Sequence, residues 1–391
     1  MSTPKMRDGI VKRGSRWAYK LELPRDPVTG ERRQQWVSGF RTRKEAEADR
    51  DEARANVRKG TYVMPARVTV AAYLGQWLDG IRVKPTTLAG YRQSARVYAI
   101  PRIGGIPLQA LTAEHLDGLY RELERSGKRD GTGLAPKSVR HVHTMIHKAL
   151  RDATERGHVL RNVADLANPP TQKQARSSAA RERVWTGAQL QAFLAHVATD
   201  RLVAAWHLFA TTGLRRAELL GLRWTDVDLD GARLTVAQTV TLAAGQPVWS
   251  YTAKTDAGER SIALDPATVA VLRGHRARQL EERMMMGPAW VDDAHGPLVF
   301  AQPDGAGVNP EALSRRFQRL ARASQLPPVD VHGLRHSYAT AALRAGVSPE
   351  VLSKRLGHAD VAITLSIYAH VRPGDDAHAA ELAAAAILGS G

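Results

Sequence analysis

Two arginines in the C-terminal half of the chain each have a functional side chain three residues away. Arg215 precedes Glu218 in the run TTGLRRAELLGLRW, and His332 precedes Arg335 in the run VHGLRHSYAT. Residues three apart share one face of a helix. Glu218 can therefore orient the guanidinium of Arg215, and His332 with Arg335 can make two bonds to one phosphate. Taken alone, the first pair is more typical of a surface ion pair, and His332 of a helix cap or a core residue.

Two further runs supply an amine, an imidazole and a phenol. Lys254 lies in the run AKTDAGER of a β-type stretch. A lysine at a hairpin tip can reach a phosphate, or it can simply be a turn residue. His358 opens the run HADVAITLSIYAH, and Tyr368 follows it by ten residues. A phenol has a reference pKa of about 10, so Tyr368 would have to lose its proton in order to act as a nucleophile, and a nearby imidazole could accept it.

These residue types together suit attack on a phosphodiester. Its negative charge repels nucleophiles, whereas two planar guanidinium groups can bind the non-bridging oxygens and stabilise the charge of the transition state. A lysine in their place would be a point charge and a poorer clamp. Each run has an ordinary structural explanation, but their joint order and identity do not. The histidines are scattered without metal-ligand spacing, so no metal site is expected.

The charge of the chain favours a polyanionic partner. The 391 residues carry a net charge of +17 at pH 7, and nucleic acid is the usual partner of such a protein. Residues 1–65 and residues 66–170 each hold 16 basic and 9 acidic side chains, against 24 and 21 in residues 171–391. The first half is therefore expected to hold DNA. The alternative is a basic protein that binds none.

Several classes of protein are not expected from this sequence. Cysteine is absent, which removes disulfides, thiolate metal sites and cysteine nucleophiles. No run of eighteen apolar residues indicates a membrane span. The N-terminal run MSTPKMRDGIVKRGSRW lacks the apolar stretch of a signal peptide. We therefore expect a cytoplasmic protein without a membrane partner.

Residues 9–40 are predicted to form a small sheet, followed by a helix that ends at about Lys59. Thr42 and Glu45 have capping-box spacing at the start of this helix. Basic residues of the predicted strands are candidate contacts in a DNA groove, although solvated charges on a small sheet are the alternative. These candidates are Arg16, Lys20, Arg32 and Arg33.

A helical bundle is predicted for residues 67–165, with a Pro- and Gly-rich break at 100–108. Lys137 and Arg140, at the start of its long last helix, are further candidate DNA contacts. Beyond a polar linker, the chain is predicted to be mostly helical, with β-type alternation at 233–240 and 248–264 and an alanine-rich helix at 379–388.

The runs around Arg215, Lys254, Arg335 and Tyr368 resemble the motifs of the tyrosine recombinases, in particular the integrases of phages and integrative elements. The resemblance implies a multidomain, mainly α fold with small β-sheets. Its implied parts are an N-terminal three-stranded sheet with a helix as an arm-type DNA-binding domain (1–64), a helical SAM-like core-binding domain (67–168), a linker (169–180) and an α+β catalytic domain (181–391).

The resemblance gives three of these residues a role in holding the phosphate. Arg215 and Arg335 would be the catalytic arginines that bind the non-bridging oxygens, and Glu218 would be the acidic residue that orients Arg215. The neighbouring Arg216 and His336 could blur this assignment, but the runs TGLR and HGLR place the functional arginines at 215 and 335.

The resemblance gives the other four residues roles in attack, in proton transfer and in one further hydrogen bond to the phosphate. Tyr368 would be the nucleophile and His332 would accept its proton. Lys254 would protonate the leaving 5′ oxygen, and His358 would hydrogen-bond a phosphate oxygen. The product would be a 3′-phosphotyrosine. Because this link conserves the energy of the broken bond, no ATP, metal or other cofactor is expected.

The resemblance also implies partners. A recombinase of this family would integrate, and also excise, a phage or mobile element, as a homotetramer on double-stranded DNA at core and arm attachment sites, through a Holliday junction. An excisionase or a DNA-bending host factor is a further possible partner, and the protein would be associated with the nucleoid of a bacterial host. Two alternatives stay open: a type IB topoisomerase, disfavoured by the separate N-terminal domain, and a non-catalytic DNA-binding regulator, disfavoured by the intact set of seven residues.

Overall fold

The computed structural model describes residues 9–25, 29–60, 62–63, 67–177, 184–251 and 260–358. The predictions for Lys254, Tyr368 and the helix 379–388 lie outside these residues. The chain divides into two compact units, one of Met1–Val83 with Gly90–Ser178 and the other of Lys84–Ala89 with Ala179–Gly391.

The first unit begins with a three-stranded antiparallel sheet. Its strands β1 (Ile10–Arg13), β2 (Arg16–Leu23) and β3 (Arg33–Phe40) lie in the order β1-β2-β3. Tyr19 pairs with Ile10 on one side and with Val37 on the other, so one face of the sheet is apolar and packs on helix α1 (Arg43–Arg58). The reciprocal hydrogen bonds of Thr42 and Glu45 confirm the predicted capping box.

A set of helices completes the first unit. Its buried aromatic residues have their polar ends satisfied, since the Tyr73 hydroxyl donates to Ala149 O at 2.8 Å and the Trp77 indole to the Asp152 carboxylate at 2.8 Å. The helices are α2 (Val70–Gly80), α3 (Pro85–Gln93, of which residues 85–89 are grouped with the second unit), a π-helical turn (Ser94–Ala99), α4 (Ile100–Ile103), α5 (Ala113–Ser126), α6 (Pro136–Glu155) and α7 (Gln172–Ser177), with 3-10 turns at Leu108–Ala110 and Val163–Asp165.

The break predicted at 100–108 begins too early, because the helix continues through Pro101 into α4. A proline cannot donate to the carbonyl four residues earlier and clashes with it. The π-helical turn before Pro101 widens the backbone at this point. The Arg102 side chain then donates to Val97 O at 3.3 Å and Tyr98 O at 3.2 Å, which satisfies the carbonyl that Pro101 leaves without its helical donor.

Part of the segment predicted to be a polar linker is helical. Helix α7 begins directly after Thr171. The Thr171 hydroxyl accepts from the Gln174 N–H at 3.2 Å, and the Gln174 side chain accepts from the Thr171 N–H at 2.8 Å. These reciprocal bonds cap the first turn, so the polar residues that suggested a linker instead start a helix.

The second unit mixes helices with two small sheets. The strands β4, β5 and β8 form one antiparallel sheet in that order, and β6 and β7 form a hairpin. The elements are α8 (Gly187–His196), α9 (Val203–Thr212), α10 (Arg216–Gly221), β4 (Val227–Asp228), β5 (Arg233–Val236), β6 (Gln238–Ala243), β7 (Gln246–Tyr251), β8 (Arg260–Ala263), α11 (Pro266–Met286), α12 (Pro310–Ala323), α13 (Val331–Arg344) and α14 (Pro349–Leu356), with 3-10 turns at Trp224–Asp226 and Gly287–Ala289.

The core of the second unit is aromatic. Trp185, Phe193, Trp206 and Phe317 are fully buried and pack against one another with ring centroids 5.0–6.4 Å apart. This cluster fixes α8, α9 and α12. None of the helices in the described ranges is long and apolar enough to cross a membrane.

Candidate active site

A sharp turn at Gly213 places Arg215 at the start of α10. Gly213 ends α9 with a φ of +64°, in the left-handed region that glycine tolerates. A Cβ atom there would lie 2.5 Å from Tyr338 Cδ1 and 2.7 Å from Leu356 Cδ2. Only glycine lets α9, α13 and α14 approach this closely, and the turn then delivers Arg215 to the N-cap of α10.

Glu218 orients Arg215 as the three-residue spacing predicts. The Arg215 N–H donates to Glu218 Oε2 at 2.8 Å, and Arg215 Nη1 donates to Glu218 Oε1 at 2.7 Å. Burial raises the pKa of the Glu218 carboxyl, but hydrogen bonds and charge from Arg260 and Arg215 outweigh burial, and the net pKa is lowered. Glu218 is therefore an ionised, buried anchor.

Arg335 is a buried cation held by backbone carbonyls. Its side chain projects from α13, and only 3% of the residue is exposed. Nη1 donates to Gly213 O at 2.7 Å and Nη2 to Leu356 O at 2.8 Å. Burial, and then the charge of Arg215, lowers the pKa of Arg335 to about 10, so the guanidinium stays charged at neutral pH.

The C-terminal end of α14 joins the two arginines. Arg215 Nη2 donates to Gly357 O at 2.9 Å, next to the Leu356 carbonyl that Arg335 holds. His358 follows directly and is half-buried. Burial, and then the charges of Arg335 and Arg215, lowers the pKa of His358 to about 4. The imidazole is therefore neutral at physiological pH and can donate a hydrogen bond.

The structure brings Arg215, Glu218, Arg335 and His358 together. His332 is exposed on the first turn of α13, three residues before Arg335, and its ring meets that of His336 edge-on at 4.6 Å. The neighbouring Arg216 is directed elsewhere, since Nη1 donates to Ser314 Oγ at 2.6 Å. Lys254 and Tyr368 lie outside the described residues.

Sequence reasoning assigned no role to Arg260, which belongs to the same cluster. Arg260 is the first residue of β8, and its Nη1 and Nη2 donate to Glu218 Oε1 at 3.2 Å and Oε2 at 2.9 Å. One signal was present in the sequence. Arg260 is in phase with the buried Ile262 on its strand, and an inward-facing arginine needs a buried carboxylate.

The six candidate DNA contacts are spread over the first unit, and most are exposed. Arg16 donates to Gly39 O at 3.2 Å, and Arg140 to Pro170 O at 2.7 Å. Lys20 is cross-strand partner to Trp36, on the sheet face opposite Tyr19. The exposed side chains are those of Arg16, Arg32, Arg33 and Lys137. Among the residues that the structure describes, no group of three or more His, Asp or Glu side chains could hold a metal ion.

Comparison with known proteins finds family matches for the C-terminal and the N-terminal parts of the chain. Residues 183–374 match the phage integrase family, and residues 9–55 match an arm DNA-binding domain. An integrase of Streptomyces ambofaciens is 28% identical over 369 residues, covering 92% of this chain and 90% of that protein. A tyrosine recombinase XerC-like protein of Caldanaerobacter subterraneus is 26% identical over 356 residues, covering 87% of this chain and 89% of the relative.

Solved structures share the fold. The Tn1549 transposon integrase in complex with transposon right end DNA has a TM-score of 0.65 at 22% identity, covering 80% of this chain and 98% of that one. The lambda integrase tetramer bound to a Holliday junction has a TM-score of 0.54 at 18% identity, covering 91% and 97%. These likenesses confirm the predicted multidomain α+β fold.

Arg215, anchored on the buried carboxylate of Glu218, and Arg335, held by backbone carbonyls, lie within the residues that match the phage integrase family. The chain belongs to the tyrosine recombinases of phages and mobile elements. It is a site-specific DNA recombinase, as the sequence predicted.

Proposed function

We propose that this recombinase integrates and excises its element through a 3′-phosphotyrosine intermediate on Tyr368. One observation carries the proposal. Arg215 and Arg335 come from α10 and α13, and their guanidinium groups donate to the adjacent carbonyls of Gly357 and Leu356. Two guanidinium groups held this close together suit the two non-bridging oxygens of one phosphate.

The proposed clamp is held in place by the protein's own groups. The buried carboxylate of Glu218 fixes Arg215, and two backbone carbonyls fix Arg335. The Arg215 side chain is 40% exposed, so N–H groups beyond its two bonded ones remain accessible to a phosphate. Preorganised donors of this kind stabilise developing charge without reorganising at the moment of reaction.

The proposed reaction moves two protons in each transfer. The Tyr368 oxygen attacks phosphorus while its proton passes to His332, and a new P–O bond forms to the tyrosine. The bond from phosphorus to the 5′ oxygen breaks, and that oxygen takes a proton from Lys254. His358, neutral because its pKa is about 4, donates a hydrogen bond to a non-bridging oxygen. The 5′ hydroxyl of the partner strand then reverses these steps.

The proposed assembly is a homotetramer on two duplexes, with arm sites bound by the N-terminal domain of residues 1–64. Lys20 and Trp36 face away from the apolar side of the sheet, and the Arg13 guanidinium lies 4.1 Å from the Trp36 ring centre. This basic, aromatic face suits a DNA groove. The bound chromosome would place the protein on the nucleoid, in the cytoplasm, where an excisionase or a bending host factor sets the direction.

A nicked duplex that carries the attachment core site tests the nucleophile. The core site can be taken from direct repeats beside the gene. The wild-type protein is expected to form an SDS-resistant covalent complex, and Tyr368→Phe is expected to form none. An adduct with Tyr368→Phe would remove the assignment. Relaxation of plasmids without the site would favour a topoisomerase, and binding without any adduct would favour a regulator.

A second substrate tests Lys254 as the proton donor. Lys254→Ala is expected to cleave the normal duplex slowly, because the 5′ oxygen leaves unprotonated. A 5′-bridging phosphorothiolate has a better leaving group and should restore the rate. A defect that persists on the phosphorothiolate would show that Lys254 has another role.

A further inference from the structure

The side chain of Arg260 is bound to Glu218 in a fork-to-fork arrangement. Its two terminal nitrogens donate to the two carboxylate oxygens at 3.2 and 2.9 Å. The side chain is 14% exposed and Glu218 is 6% exposed. A bidentate pair of this kind fixes the plane of the carboxylate as well as its position.

Glu218 consequently bridges two arginines. Oε1 accepts from the guanidinium groups of Arg215 and Arg260, and Oε2 accepts from the Arg215 backbone N–H and from Arg260. The charge of Arg260 therefore offsets part of the Glu218 charge that would otherwise act on Arg215 alone. The guanidinium of Arg215 can then attract a phosphate more strongly.

Arg260 also lies against the second support of Arg215. A Cβ atom on Gly357 would be 2.1 Å from Arg260 Nη1, so the guanidinium covers the backbone of this glycine. Gly357 has a φ of +65°, and its carbonyl accepts from Arg215 Nη2. Both groups that hold Arg215 in place, Glu218 and Gly357, are thus in contact with Arg260.

Stability alone gives a weak reason for this buried cation. The Nε–H of Arg260 is buried and has no acceptor among the residues that the structure describes. A buried donor without a partner costs free energy, and buried ion pairs are often no more stable than apolar replacements. A role in the geometry of the site accounts for its presence better.

We propose that Arg260 is a positioning residue, which fixes Glu218 and the Gly357 turn and through them sets the guanidinium of Arg215 against the scissile phosphate. Arg260 itself does not contact the DNA in this arrangement. The proposal rests on the function proposed above, since it needs a phosphate between Arg215 and Arg335.

Single-turnover cleavage of the nicked core-site duplex tests the proposal in the full-length protein. Arg260→Ala is expected to lower the cleavage rate by roughly 10²-fold, the scale of a small misplacement of a catalytic group, with DNA affinity changed less than about threefold. Arg260→Lys keeps the charge but not the fork, and should fall in between. Arg273→Ala removes a surface arginine of the same unit, paired with Asp230, and should cleave normally.

Two further measurements separate positioning from simple structural support. Added guanidinium ion should partly restore Arg260→Ala. The double variant Glu218→Gln with Arg260→Ala should be no slower than the slower single variant, because both act through one network. The proposal would be overturned if Arg260→Ala cleaved at the wild-type rate, or if the two losses in rate multiplied in the double variant. If Arg260→Ala does not fold, the same rate measurements on Arg260→Lys, alone and combined with Glu218→Gln, test the proposal.

A crystal structure of the Arg260→Ala protein distinguishes failure of this proposal from failure of the proposed function. Arg215 is expected to leave Gly357 O and turn towards Glu218. An Arg215 guanidinium in its original place would contradict the positioning role even if the wild type forms no adduct. The absence of a wild-type adduct, with Arg215 displaced in the variant, would instead count against the proposed reaction.

Discussion

The three clustered arginines of the second unit differ from two candidate DNA contacts of the first unit, Arg32 and Lys137, in how firmly they are held. Arg215, Arg260 and Arg335 each donate at least two side-chain hydrogen bonds to a buried carboxylate or to backbone carbonyls. By contrast, Arg32 and Lys137 are exposed. The first group is held in place by the protein's own groups, whereas the second lies exposed on the surface.

This difference separates two kinds of DNA contact. A guanidinium that is already ordered loses little side-chain entropy when a phosphate binds, whereas an exposed lysine must be immobilised. Exposed charges act through counterion release, which is sensitive to salt and tolerant of position. The second unit is therefore suited to recognising one phosphate geometry, and the first to attracting a duplex.

The largest expected effect comes from replacing the fork of Arg335 with a point charge. Arg335→Lys cannot reach both Gly213 O and Leu356 O, so cleavage of the nicked duplex should fall by roughly 10²- to 10³-fold. DNA affinity should change only a few-fold. Arg344→Lys, exposed on the same helix, is the control. An equal loss in affinity would mean that Arg335 acts in binding rather than in the chemical step.

The next effect concerns the turn that holds this site together. Gly213→Ala adds left-handed strain and places a methyl group against Tyr338 and Leu356, so we expect a loss of roughly 2–4 kcal/mol in the free energy of unfolding of the second unit. Gly245 also has a left-handed φ, of +81°, but a Cβ atom added there would have no neighbour within 4 Å. Gly245→Ala should therefore lower the free energy of unfolding by about 1–2 kcal/mol. Urea unfolding gives both values, and equal losses would show that crowding contributes nothing.

The local parts of this arrangement could be predicted from the sequence. The spacing of Arg215 and Glu218 correctly indicated a contact within one turn of helix, and Thr42 with Glu45 indicated a cap. Both depend on residues three apart, whose geometry is set by the helix itself.

The parts that could not be predicted depend on contacts between distant segments. Arg260 meets Glu218 across 42 residues, and Arg335 meets Gly213 across 122. A sequence pattern shows that an arginine faces inward but not which acceptor it finds. The helix through Pro101 was missed for a different reason, because a proline predicts a break, whereas here the Arg102 side chain donates to Val97 O.

A pair of histidines sharpens the comparison between the two units. The pKa of His358 is lowered to about 4 by burial and then by Arg335 and Arg215. The pKa of His143, in the first unit, is lowered to about 4 by burial and then by His147. A phosphate at the arginines would offset their charge and raise the pKa of His358, because it stabilises the protonated form. His143 should stay near its value.

Histidine NMR titration of the Tyr368→Phe protein, with and without the core-site duplex, measures both values. The substitution prevents cleavage, so any shift reports on binding alone. Substituting each histidine in turn assigns the signals. Without DNA, both rings should stay neutral from pH 7 down to about pH 5 and take up protons near pH 4. An unchanged His358 in the complex would mean that the phosphate is not held beside Arg215 and Arg335.

The smallest expected effect lies on the N-terminal sheet. Lys20 is on the face opposite α1, and if it contacts one phosphate of an arm-site duplex, Lys20→Ala should lower the slope of log K against log salt by about 0.9. The affinity should fall only a few-fold, since neighbouring cations can take over a single phosphate contact. Lys44→Ala, on α1 behind the sheet, should leave the slope unchanged. If both variants change the slope equally, the duplex does not select this face of the sheet. The basic residues of the first unit would then attract DNA without forming a defined docking surface.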